Sequence, residues 1–129
     1  MKNVRLIKIV GFIILPIIII LWQLGFFYRF NYFTAKIDII RKTPRLVITE
    51  IPLYDSEIDP IPYIGLNKKY GFHEHYTGCN VTKPQIRGIE SYNTQIEKYL
   101  IARNGNNWKA KYQAEIDTLV KDFQKRRIN

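Results

Sequence analysis

The sequence predicts a single-pass membrane protein: an N-terminal transmembrane helix followed by a small α+β domain of two or three strands and an antiparallel helical hairpin. Three observations carry this reading. An uncharged run, IVGFIILPIIIILWQLGFFY, extends from Ile9 to Tyr28. Two stretches rich in β-branched residues, KIDIIRK and RLVITEI, flank Thr43-Pro44. Two segments of helical periodicity then follow, separated by the turn Gly105-Asn-Asn. In a chain of 129 residues this leaves room for one domain, divided as a basic tail over 1–8, an anchor over 9–28, an aromatic and basic juxtamembrane segment over 29–36, and the domain over 37–129.

The apolar run is the first element. A twenty-residue helix spans ~30 Å, the thickness of a bilayer's hydrocarbon core. A buried core helix is the alternative, but about a hundred remaining residues hardly enclose so apolar a helix on every side. Lys2, Arg5 and Lys8 resemble the start of a signal peptide. The run is too long for one, and bulky LGFFYRFNYF follows where a small-residue cleavage site belongs, so the expectation is an uncleaved signal-anchor. Trp22, Phe26, Phe27, Tyr28, Phe30, Tyr32 and Phe33 crowd its end like an interfacial aromatic belt. Arg29, Lys36, Arg41, Lys42 and Arg45 outnumber the N-terminal cations, yet long domains translocate largely regardless of charge. The expected localisation is therefore the membrane, with the C-terminal domain periplasmic or otherwise extracytoplasmic.

The net charge is +9, and beyond Arg29, 16 basic residues face 11 acidic ones. The densest patches are the juxtamembrane segment and Lys125-Arg126-Arg127, both able to meet anionic headgroups. No nucleic-acid motif accompanies the charge. A lone cysteine excludes an intrachain disulfide and a disulfide-rich module.

In the domain, Ile37 and Ile39 alternate with Asp38, and Leu46 and Ile48 with Val47 and Thr49, which predicts two strands joined by a proline turn. PLYDSEIDPIPYIG, residues 52–65, reads as an extended loop because each of its three prolines removes a backbone donor. Asp55, Glu57 and Asp59 alternate there, but Pro60 and Leu66 occupy the positions where a calcium loop needs Gly and Glu. Thr82-Lys-Pro-Gln85 is a capping box, with Val81 and Ile86 in staple positions and Pro84 in the first turn. It predicts a helix from there to about Arg103, stopped by Gly105, with Ile86, Ile89, Tyr92, Asn93, Ile96, Tyr99 and Leu100 on one face. Asn93 on that face reads as a polar core contact. Trp108, Tyr112, Ile116, Leu119 and Phe123 form the stripe of a second helix capped by Asn106 or Asn107.

GFHEHYTGC, residues 71–79, holds both histidines and the cysteine. As a strand, it puts His73 and His75 on one face and Tyr70, Phe72, Glu74 and Tyr76 on the other. His73, His75 and Cys79 are candidate metal ligands of a zinc-like kind, one short of a structural tetrahedral set. The competing reading is scaffold: Phe72 and Tyr76 facing the core, histidines facing solvent, Gly78 turning the chain. No catalytic residue, cofactor site or small-molecule substrate is indicated, and a Cys79–His75 dyad lacks an orienting third group. The function expected is a non-enzymatic, membrane-anchored accessory or protein-interaction module whose partners are a lipid bilayer and an unidentified protein. An anchored zinc-binding protein is the alternative.

Overall fold

The computed structural model describes residues 2–49 and 61–128, with side chains at 10–49 and 63–125. Among the described residues it holds five helices and one parallel pair of strands, a predominantly helical small domain rather than the expected sheet packed on a helical hairpin. The order is α1 (Lys2–Gln23), α2 (Tyr32–Ile40), β1 (Arg45–Ile48), α3 (Ile61–Tyr70), β2 (His73–Tyr76), α4 (Lys83–Asn104) and α5 (Trp108–Ile128).

The expected span over 9–28 needs correction. α1 ends at Gln23, and Leu24 to Tyr28 form a turn instead of its last helical residues. The N–H of Gly25 bonds the Trp22 carbonyl at 3.0 Å, and that of Phe26 the Leu21 carbonyl at 3.1 Å. Gly25 is left-handed, φ 77°, and lies against Pro84 and Gly88 of α4. Arg87 of α4 donates to the Gln23 carbonyl at 3.2 Å. Among the described residues no helix is long and apolar enough to cross a membrane. At 1.5 Å per residue, the uncharged part of α1 after Lys8, from Ile9 to Gln23, runs ~22 Å, short of the ~30 Å of a hydrocarbon core. The single-pass, signal-anchor localisation and the extracytoplasmic placement derived from it lose their support.

The first expected strand is also corrected, because KIDII lies in α2. Asn31 starts this helix: its Oδ1 accepts from the N–H groups of Phe33 and Thr34, while Thr34 Oγ1 accepts from the Asn31 N–H at 2.9 Å. This reciprocal cap, with Ala35 and Asp38 buried against the domain, outweighs the β-branched isoleucines. Lys42, at φ 58°, closes the helix end, and the Thr43 N–H reaches back to the Asp38 carbonyl at 2.9 Å.

Only β1 remains of the expected strand pair, and it pairs in parallel with β2, Val47 opposite His75. Parallel strands require a crossover, and α3 lies in it. Residues 61–65, read as loop, open that helix; Pro62 falls in its first turn, where a missing N–H is tolerated. The acidic stretch Asp55, Glu57 and Asp59 lies outside the described residues. β1 has a substitute neighbour on its other edge. Asn93 of α4 accepts from the Val47 N–H at 3.0 Å and donates to the Val47 carbonyl at 2.7 Å, so its amide acts as a one-residue strand.

α4 begins as expected. Thr82 accepts from the Gln85 N–H, Gln85 Oε1 accepts from the Thr82 N–H at 2.7 Å, and Gly105 follows the last turn. Ile89, Tyr92, Ile96 and Leu100 are buried on the expected face, whereas Ile86 is exposed. Trp108 is buried at the start of α5, in an aromatic cluster with Tyr70, Phe72 and Tyr112. Lys109 pairs with Glu97 of α4 at 2.5 Å. Farther along, α5 turns its bonds to α3: Tyr112 donates to Asn67 at 2.6 Å, and Glu115 accepts from Lys69 and Tyr70. α5 is thus shared between α4 and α3 and is not simply the second arm of a hairpin.

Two substitutions test this packing. Trp108→Ala removes the centre of the aromatic cluster and is expected to cost ~3–5 kcal/mol in a denaturant titration, a large share of a small domain's stability. Gly88→Ala places a Cβ 2.6 Å from the Phe30 carbonyl oxygen and 3.0 Å from that of Gly25, both backbone atoms. The expected cost is ~1–3 kcal/mol; an unchanged midpoint would show that the 24–30 turn is not seated on α4.

Candidate functional site

β2 presents the histidine stretch much as a scaffold would. Phe72, just before it, is buried, and its N–H bonds the Asn67 carbonyl at 3.1 Å. Glu74 and Tyr76 share a face, as the alternation requires, and the Tyr76 hydroxyl donates to Glu74 at 2.7 Å. On the other face His73 is exposed, but His75 is half-buried, its ring centroid 4.8 Å from that of Phe30. Gly78, at φ 75°, turns the chain, and Cys79 beyond it is exposed. Among the described residues no three His, Cys, Asp or Glu side chains form a group that could hold a metal ion, so His73, His75 and Cys79 are not brought together as one.

The electrostatics around His75 also oppose a cation. Burial lowers its pKa first, followed by the charges of Arg45 and Arg29. The same two guanidinium groups repel a metal ion at this imidazole.

A polar centre that the sequence reading passed over lies beneath α2. Asp38 is 5% exposed and accepts from Arg29 Nη2 at 2.9 and 3.1 Å. The fully buried Tyr92 donates to the same carboxylate at 2.7 Å. Burial, then this hydrogen bond and the carboxylate charge, hold the Tyr92 hydroxyl far above the usual tyrosine range, so it remains a donor. Asp38 was legible only as the polar member of an alternating strand; the helix that buries it begins at a cap of the Asn-x-x-Thr kind. Asn93 does what a polar core contact should, since both ends of its amide bond β1.

The remaining feature is apolar. From Val10 to Trp22, α1 exposes nearly every large hydrophobic side chain, Phe12 at 86% the most. Ile17, Ile18, Ile19 and Ile20 are consecutive and all exposed. At 100° per residue, four consecutive positions encircle a helix, so α1 has no covered face along this stretch.

No protein family, curated protein or solved structure is matched by the chain.

His75 supplies a pH prediction. Its folded pKa lies below the ordinary value of ~6.5, so the unfolded chain takes up the proton first as the pH falls. The stability it contributes is full above about pH 6.5 and is lost as the pH drops toward the folded pKa. Urea midpoints are expected to fall between neutral and mildly acidic pH, and to fall less in His75→Gln. Equal pH dependence in both proteins would place the titration elsewhere.

Proposed function

We propose that this chain is a non-enzymatic protein-interaction module that works by inserting α1 into an apolar surface of a partner protein. The observation that carries this is the exposure of α1 on every side over its described side chains, Ile17 to Ile20 above all. An apolar helix exposed on every side gains ~1.5–3 kcal/mol for each large side chain taken fully out of water, a strong drive toward being covered. The base of the helix supports the reading, because the Gly25–Gly88 contact and the Arg87 hydrogen bond seat it on the folded domain. The domain's conspicuous polar side chains, Asp38, Tyr92, Asn93, Asn67 and Glu115, are committed to bonds between elements.

A photo-cross-linking residue placed at Ile18 of the full chain, expressed in its native cells, tests this. The expected outcome is a discrete protein adduct that is absent when the residue sits at the exposed Gln113. Adducts with lipid alone, or none, would overturn the proposal. So would stoichiometric zinc in the purified chain that is lost in His73→Ala and His75→Ala, the outcome that the zinc-binding alternative requires.

A further inference from the structure

α2 carries a second apolar surface, distinct from α1. Phe33, Ile37 and Ile40 are 60%, 44% and 80% exposed. Spaced four and three apart, they fall within an arc of about 60°. The helix step puts exposed Lys36 on one flank of that arc and exposed Arg41 on the other, with Lys42 next in the chain. The opposite face holds Ala35, Asp38 and Ile39 against the core, so the stripe is the outer side of a docked helix. Phe26 of the preceding turn stacks 5.5 Å from Phe33, and Lys36 lies 4.7 Å over the Tyr32 ring.

α2 and the turns that flank it are basic. From Arg29 to Arg45 the sequence has five Lys or Arg and one carboxylate. That carboxylate is Asp38, buried and bonded to Arg29 and Tyr92. An apolar stripe edged by cations on both sides matches the layering of an anionic lipid surface: acyl chains below, phosphates above. No hydrogen-bonding side chain interrupts Phe33, Ile37 and Ile40. The stripe therefore offers area and charge without directional contacts, which suits a fluid lipid surface better than the fitted core of a protein interface.

We propose that α2 lies flat on an anionic lipid surface, with Phe33, Ile37 and Ile40 turned into it and Lys36 and Arg41 among the headgroup phosphates. A helix lying in this way requires no span. The inference rests on the reading of the chain as an interaction module and assigns one partner to a surface that α1 does not use.

The test uses the full chain with Cys79→Ser and Ile37→Cys, labelled at position 37 with an environment-sensitive fluorophore. The label is expected to shift to the blue with vesicles of phosphatidylcholine and phosphatidylserine, and much less with phosphatidylcholine alone. Lys36→Gln and Arg41→Gln should each weaken apparent vesicle affinity about fivefold, the equivalent of ~1 kcal/mol per cation at an anionic surface. A label that stays in water, or one that shifts equally with both vesicles, would overturn the proposal. The two proposals fail separately. A protein adduct at Ile18 with an unshifted label rejects only the lipid surface. A shifted label with no protein adduct rejects only the protein partner.

Discussion

The buried carboxylate of Asp38 is the constraint on which the rest of the domain depends. An ionised carboxylate leaves water at high cost unless it is paired and hydrogen-bonded. Here Arg29 reaches it from the turn after α1, and Tyr92 from the middle of α4. One side chain thus ties three segments of chain at a single point. The next residue of α4, Asn93, closes the free edge of β1 through both ends of its amide. α4 is therefore the spine of the domain: α2 and β1 are fixed to it by neighbouring polar side chains and packed by Ile89 and Ile96.

That arrangement decides what is left outside. Because α2 is held by Ala35 and Asp38, its other face, Phe33, Ile37 and Ile40, must point away. Because the turn after α1 closes on Gly88, α1 leaves the domain with its apolar circumference uncovered. The two apolar surfaces follow from how the helices are anchored, and neither is covered by the other described residues.

The parts of the fold legible in the sequence are those specified locally. The Thr82 capping box, the Gly105 stop and the Trp108 stripe each depend on residues within a few positions of one another, and each is found where expected. What was missed depends on distant partners. KIDII alternates like a strand, and only the Asn31–Thr34 cap and the burial of Asp38 against Tyr92 make it a helix. Pro62 looks like a barrier to helix until it is placed in a first turn. The parallel pairing of Val47 with His75 joins segments separated by α3, which no local pattern encodes. The apolar run was plain in the sequence, but its end was not: Gly25 stops the helix at Gln23 because α4 is there to receive it. At the histidine stretch, the strand and the Gly78 turn were legible. The seating of His75 on Phe30, beside Arg29 and Arg45, was not, since those partners come from two other segments, the turn after α1 and the start of β1.

The most direct test of the central claim is a double-mutant cycle between Asp38→Ala and Tyr92→Phe, with stability read from urea unfolding. A hydrogen bond to a buried charged group contributes ~1.5–3 kcal/mol, and a coupling energy of that size is predicted between the two positions. Additivity within ~0.5 kcal/mol would contradict the account, because it would mean that α2 and α4 are held together by packing alone.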